Sequence, residues 1–124
     1  MICVEGEVIH GKKIGRALGF PTANISLHDD MKLLPADGVY AVRLSCDGNV
    51  YKGVMNIGVK PTIGENLHRT VEVYIIDYNG DLYGKDVVVA VVHRVRGEMV
   101  FESIDALRCQ INSDVEYVKS EIDI

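Results

Sequence analysis

The segment GVYAVRLSC, residues 38–46, decides how the fold is interpreted, because its side chains alternate with a period of two. One face carries Tyr40, Val42, Leu44 and Cys46, and the other carries Val39, Ala41, Arg43 and Ser45. This alternation is typical of a half-buried β-strand. Asp47-Gly48-Asn49 then supplies a turn, and VYKGVMNI at 50–57 resumes the pattern. The two segments together predict a β-hairpin.

The same period extends through most of the chain. TVEVYIID at 70–77 and VVVAVVHRV at 87–95 flank Asn79-Gly80, and we predict a second hairpin from them. Two further strands are predicted at Ile2–Ile9 and at ANISL, residues 23–27. The pattern therefore gives about six strands in all.

Only the C-terminal segment has a helical period. Its apolar residues recur at steps of three and four: Ile104, Leu107, Ile111, Val115, Val118 and Ile122. Ser103 is the predicted N-cap, and Asp105 falls in the first turn. Strands joined by short turns, followed by one helix, predict an antiparallel barrel with the helix packed on it. The absence of βαβ alternation excludes a Rossmann or TIM fold.

Length and composition limit the possible functions. A chain of 124 residues predicts a single domain, 1–124, and 48% hydrophobic residues are enough for a core. We expect no membrane partner, because no apolar run is long enough to span a bilayer. The net charge of −5 argues against a nucleic-acid partner, since phosphate binding needs a surplus of cations. Three widely spaced cysteines predict reduced thiols and a cytoplasmic location.

Two connections are longer than a small β-domain needs. The first, 11–24, reads GKKIGRALGFPTAN and combines three glycines with three cations. Glycine amides and nearby cations suit a phosphate, although a solvated basic turn is favoured on composition alone. The second, Gly58–Arg69, reads GVKPTIGENLHR, and a lid and an idle surface loop fit it equally well.

Two groups of polar residues are candidates for chemistry. Thr22 and Asn24 would point to the same side of an extended segment, where their neutral oxygens suit Mg²⁺. From spacing alone, a turn in which Asn24 bonds its own backbone is the favoured alternative. Glu72 stands in an apolar strand and shares a face with Tyr74 and Ile76. A solvent-facing role is the default for Glu72, but a partly desolvated carboxylate at a barrel mouth would suit a general base.

Five segments together resemble the riboflavin kinase family. They are GKKIGRALGFPTAN at 11–24, LPADGVYAV at 34–42, MNIGVKPTIG at 55–64, VEVYIIDYNGDLYGK at 71–85 and VRGEMVFESIDALRCQINSDV at 95–115. The resemblance covers nearly the whole chain, in order. GFPTAN followed by VEVYIIDYNGDLYGK is its most specific element.

The resemblance implies a fold and an activity. The fold is mainly β, a six-stranded antiparallel, Greek-key-like barrel with a C-terminal α-helix. The activity is ATP:riboflavin 5′-phosphotransfer, with riboflavin and Mg-ATP as substrates and FMN and ADP as products. It implies Thr22 and Asn24 at Mg²⁺ and the ATP phosphates, and a glycine loop around Gly15 and Arg16 that folds over the phosphates. Glu72 corresponds to the general base, and Arg96 lies in the loop on the flavin side.

The same family also forms the C-terminal half of bacterial bifunctional FAD synthetases. The chain could accordingly be a free-standing kinase or a fragment of a larger enzyme with an adenylyltransferase domain. Its own product should in either case stop at FMN. Two rival hypotheses stay open: a non-catalytic flavin- or nucleotide-binding barrel, and a barrel that binds single-stranded nucleic acid. The second is weakened by the acidic charge, the lack of Trp and only two Phe.

Overall fold

The computed structural model describes residues 2–9, 22–27, 34–61, 67–78, 80, 82–97 and 99–121. In this part of the chain lie six strands and one helix, α1. Their bounds are β1 Cys3–Ile9, β2 Thr22–Leu27, β3 Gly38–Cys46, β4 Asn49–Pro61, β5 Leu67–Ile75, β6 Asp86–Arg96 and α1 Ile104–Glu121. The elements follow the predicted order, from the N-terminal strand to the C-terminal helix.

The strands form a closed barrel in the order β1-β2-β5-β4-β3-β6, and every neighbouring pair is antiparallel. The spatial order departs from the chain order, as in a Greek key. The predicted class, a six-stranded antiparallel barrel with a C-terminal helix, is confirmed. The hairpin predicted from residues 38–57 is also confirmed, because β3 and β4 pair from Gly38↔Ile57 to Cys46↔Asn49.

The predicted second hairpin is wrong. β5 pairs with β2 and β4, whereas β6 pairs with β1 and β3. Backbone hydrogen bonds fix the connection between them at both ends: Ile76 N donates to Lys52 O of β4 (2.9 Å), and Gly84 N donates to Val8 O of β1 (2.8 Å). The connection therefore passes from one side of the barrel to the other, and Leu82 within it is buried in the core.

The second long connection is also shorter than predicted. Residues 58–61 continue β4 and 67–69 begin β5, with pairs from Gly58↔Thr70 to Pro61↔Leu67. Much of the predicted loop is thus a strand ladder, in which the backbone groups bond to each other. The lid hypothesis can apply only to residues 62–66, which lie outside the described part.

The barrel interior follows from the alternation in the sequence. Each of the six strands contributes to one buried cluster, which includes Val4, Ile25, Leu44, Met55, Val73 and Val89. In β3, the predicted faces are confirmed: Tyr40 and Val42 point inward, and Val39 and Ala41 belong to a second cluster outside the barrel wall. Burying this apolar surface in the interior is the main force that holds the closed sheet together.

Helix α1 covers that outer cluster. Val115 and Val118 of the helix pack there with Val39, Ala41 and Val54 of the sheet. The predicted N-cap is confirmed, because Ser103 Oγ accepts a hydrogen bond from Ala106 N (3.1 Å). The apolar stripe starts later than predicted: Ile104 is 59% exposed and Ile111 is the first helical residue packed against the cluster.

Strand β6 has two irregularities that shape its contact with the helix. Its register against β3 shifts between Val39 and Tyr40 and again between Ala41 and Val42. At each shift the bulged strand has one residue more than its partner, so two successive side chains lie opposite one. Val92 and Val95 consequently pack against the outer cluster. His93 and Arg96 contact the helix residues Tyr117 and Asp114.

The cysteines agree with the sequence expectation. Cys3, Cys46 and Cys109 are free thiols. Burial of the Cys46 thiol, with a smaller contribution from the Asp47 carboxylate, raises its pKa. Within the described ranges, no helix is long and apolar enough to cross a membrane.

Candidate active site

Three polar residues, two of them predicted site residues, lie in one row across the outer face of the barrel. Asn24 of β2 is the register partner of Glu72 in β5, and Glu72 is in turn the partner of Asn56 in β4. Directly opposed residues in an antiparallel pair have Cα atoms roughly 4.5–5.5 Å apart. Glu72 therefore lies between two amide side chains, each one strand spacing away.

Thr22 belongs to the adjacent row. It pairs with Tyr74 in β5, which pairs with Val54 in β4. Successive residues of a strand point to opposite faces, so Thr22 and Asn24 share one face of β2. The backbone at 22–27 is extended, as the metal and phosphate interpretation requires, and it is not the turn that spacing alone favoured.

The side chain of Glu72 points away from the barrel interior. Its neighbours Val71 and Val73 are buried in the interior cluster, whereas Tyr74, two residues along, packs against the outer cluster. Ile76 also belongs to the outer cluster, so the predicted common face of Glu72, Tyr74 and Ile76 is confirmed. Glu72 itself is half-buried. The protein thus partly shields this carboxylate on the outer face of the barrel.

Arg96 lies at the far end of the row that contains Glu72. Asn56 pairs with Val39 in β3, and Val39 pairs with Arg96 in β6. The guanidinium forms an ion pair with Asp114 of α1, with Nη2 donating to Oδ2 at 2.9 Å. The predicted flavin-side residue is thus connected to the helix as well as to the row.

Two of the predicted site residues cannot be placed. Gly15 and Arg16, assigned to the loop over the phosphates, lie outside the described residues. The described part of the site consequently comprises Thr22, Asn24 and Glu72, with Arg96 at the other end. Asn56 and Asp114 are two further polar residues of this surface that the sequence interpretation missed.

A signal for Asn56 was present in the sequence. In VYKGVMNI, Asn56 falls on the face opposite to the buried Met55 and Ile57. That is the same relation that Glu72 has to Val71 and Val73. Asp114 gave no comparable signal, because an acidic residue in a charged helix is usually solvent-exposed.

The polar side chains of β2 are oxygen donors of the kind that Mg²⁺ prefers. No cluster of three or more His, Cys, Asp or Glu that could hold a metal occurs in the described ranges. Mg²⁺ is commonly bound through few protein oxygens, together with water and substrate phosphates. The hydroxyl of Thr22 and the amide oxygen of Asn24, on one face of β2 and beside Glu72, fit such a site.

Comparisons with known proteins identify the family to which the chain is similar. The family model described as Flavokinase, riboflavin kinase, matches residues 1–122. The RNA-binding riboflavin kinase RibR of Bacillus subtilis is 38% identical over 125 residues, which cover 100% of this chain and 53% of that protein. Bifunctional riboflavin kinase/FMN adenylyltransferases of several bacteria are 37–45% identical, and this chain spans 35–39% of their length. The chain thus spans between about a third and a half of these relatives.

Two solved structures share the fold. The crystal structure of a protein from Streptococcus pneumoniae, described as a macrolide-efflux protein, superposes with a TM-score of 0.88 at 35% identity and covers 97% of this chain and 39% of that one. The riboflavin kinase from Trypanosoma brucei superposes with a TM-score of 0.61 at 28% identity, covering 94% of this chain and 74% of that one. The barrel with its C-terminal helix is therefore an architecture that a riboflavin kinase uses.

Proposed function

Because this chain belongs to the riboflavin kinase family, we propose that it transfers the γ-phosphoryl group of ATP to the terminal ribityl hydroxyl of riboflavin. The products are FMN and ADP. The observation that carries the proposal is the row Asn24–Glu72–Asn56, which places one carboxylate between amide side chains on the outer face of the barrel, next to Thr22.

In the proposed reaction, Glu72 is the general base. A primary hydroxyl is a weak nucleophile at neutral pH, so accepting its proton lowers the barrier to attack on phosphorus. The ribityl oxygen forms a bond to the γ-phosphorus, the bond to the β,γ-bridging oxygen breaks, and that oxygen leaves with ADP. The ribityl proton passes to the carboxylate of Glu72. Positioning and charge stabilisation account for most of the catalysis in such transfers.

Thr22 and Asn24 are proposed to hold the Mg²⁺ that accompanies ATP. Mg²⁺, when bound, neutralises charge on the phosphate oxygens. The two side chains contribute neutral oxygens from a strand rather than from a loop, so the barrel wall fixes their separation. Gly15 and Arg16 are proposed to close over the phosphates, and Arg96 to meet the flavin.

Three wider predictions belong to the same proposal. We propose that residues 1–124 act as one kinase domain, that the protein works in the cytoplasm, and that its substrates are small molecules rather than nucleic acid. The bifunctional relatives make an adenylyltransferase partner domain a reasonable context for such a kinase.

The proposal is tested by following ADP release from ATP with a coupled spectrophotometric assay. We expect release to depend on both riboflavin and Mg²⁺. Riboflavin binding without any riboflavin-dependent ADP release would instead support a non-catalytic flavin-binding module. ADP release that is the same with and without riboflavin would also contradict the proposed transfer.

A further inference from the structure

The contact between Arg96 and Asp114 is more elaborate than a surface ion pair. Nε of Arg96 donates to Oδ1 (3.2 Å) and Oδ2 (3.1 Å) of Asp114, and Nη2 donates to Oδ2 (2.9 Å). Gln110, one helical turn earlier, donates to Oδ1 from Nε2 (3.0 Å). The Asp114 carboxylate thus accepts hydrogen bonds from two nitrogens of the Arg96 guanidinium. The Gln110 amide donates to the same carboxylate.

The pair is also buried. The side chain of Asp114 is 5% exposed and that of Arg96 is 18% exposed. Asp114 is the one buried charged residue in the described part of the chain. Removing two charges from water costs free energy that offsets much of their mutual attraction. Apolar residues of similar size often stabilise a fold to the same degree or more. Stability alone is therefore a weak explanation for the pair, which suggests a role in orientation.

The neighbourhood of Arg96 supports that role. Nη1 donates to Gly97 O (3.1 Å), and the guanidinium carbon lies 5.8 Å from the centroid of the Phe101 ring. These contacts, with those to Asp114, engage three of the five N–H groups of Arg96 among the described residues. The guanidinium is fixed at the start of the segment that leads from β6 to α1.

Arg96 lies in the same row of register partners as Glu72, the proposed base. Arg96, Val39, Asn56 and Glu72 are successive register partners on β6, β3, β4 and β5. Three strand spacings of about 4.8 Å place the two ends of the row roughly 14 Å apart along the sheet. Arg96 is thus too far from Glu72 to act on the reacting hydroxyl.

We propose that Asp114, supported by Gln110, is a positioning residue that orients the Arg96 guanidinium toward the flavin. This inference rests on the proposed function, since it assumes that Arg96 meets riboflavin. Asp114 acts through Arg96 and does not itself touch the substrate. The effect should be confined to the flavin end of the site and should leave ATP binding nearly unchanged.

The test compares Asp114→Asn with the wild type in steady-state assays that vary riboflavin and ATP separately. A neutral amide keeps the size of the side chain but loses the charged fork, so the KM for riboflavin should rise about tenfold or more. The KM for ATP should change by less than about twofold, since binding at the other end of the row is retained. Glu116→Gln, an exposed acid on the same helix, is the matched control and should behave as the wild type.

Two further variants keep the inference falsifiable if Asp114→Asn folds poorly. Arg96→Lys keeps the charge but loses the planar fork, and Gln110→Ala removes only the support of Asp114. Each should raise the KM for riboflavin and not that for ATP. The double variant Arg96→Lys/Asp114→Asn should be no worse than the more affected single variant, because the residues act as a unit.

A structural role alone predicts a different result. Asp114→Asn would then lower the melting temperature while both KM values stayed unchanged, or changed equally, in the folded protein. That outcome would overturn the inference. Riboflavin binding, followed by quenching of flavin fluorescence, separates this failure from failure of the proposed function. If the wild type bound riboflavin without phosphorylating it, weaker binding by Asp114→Asn would still support the positioning role, and equal binding would refute it.

Discussion

At Glu72, the strand ladder places a carboxylate between Asn24 and Asn56 on the outer face of the barrel. Glu72→Gln keeps the shape of the side chain but cannot accept a proton. Turnover should fall by about 10²–10⁴-fold, the usual contribution of a general base, with little change in either KM. Glu7→Gln, an exposed residue of β1, is the control for loss of one negative charge. Retention of more than about a tenth of the wild-type rate would reject Glu72 as the base.

Thr22 tests the other half of the site. Thr22→Ala removes a hard oxygen at the start of β2, so a higher Mg²⁺ concentration should be needed for half-maximal activity. Thr22→Ser keeps the hydroxyl and should restore most of the wild-type response. The fold should survive, because the residue is only half-buried at the end of a strand. An unchanged Mg²⁺ titration for Thr22→Ala would refute its assignment to the metal.

Single residues also show which structural features could be predicted from the sequence and which could not. The faces of β3 and the Ser103 cap were readable, because both depend on residues close together in the chain. The pairing of Glu72 with Asn24 was not readable from the sequence. It depends on the register between β2 and β5, and the two residues lie 48 positions apart in the chain. The pairing of Arg96 with Asp114 depends on a bulge in β6 and on how the helix docks. Neither is encoded in a local pattern.

At the scale of strands, the failed second hairpin shows the same limit. An Asn-Gly pair between two alternating segments is a strong local signal for a hairpin. Here the connection is instead pinned to β4 and β1, so the two strands join different parts of the barrel. Closing all six strands leaves no unpaired edge, and that benefit is a property of the whole sheet.

Packing between β1 and β2 requires a glycine at position 6. A Cβ built there would lie 2.4 Å from Ser26 O and 2.6 Å from Ile25 Cγ2. Gly6→Ala should therefore force the strands apart and destabilise the fold by about 1–3 kcal/mol, the usual cost of overpacking. Urea unfolding would measure the change, with Cys3→Ala, an exposed site on the same strand, as the control. An unchanged midpoint would show that β2 can shift without cost.

At the scale of the whole molecule, the barrel wall and the helix have separate tasks. The interior cluster closes the sheet, and the outer cluster docks the helix beside the row that contains Glu72. The site therefore lies on the outer surface, where a ligand can reach it without opening the core. Asn24 and Arg96 lie at the two ends of one row in the same sheet, so the sheet fixes the distance between them.

The central claim is that this chain alone converts riboflavin to FMN. Purified protein would be incubated with riboflavin, ATP and Mg²⁺, and the flavins and nucleotides would be separated by chromatography. We predict FMN and ADP in equal amounts and no FAD, even after addition of FMN, because the matched family model is that of the kinase. Recovery of riboflavin unchanged would contradict the phosphotransferase assignment, and formation of FAD by enzyme free of contaminants would contradict the claim that its chemistry ends at FMN.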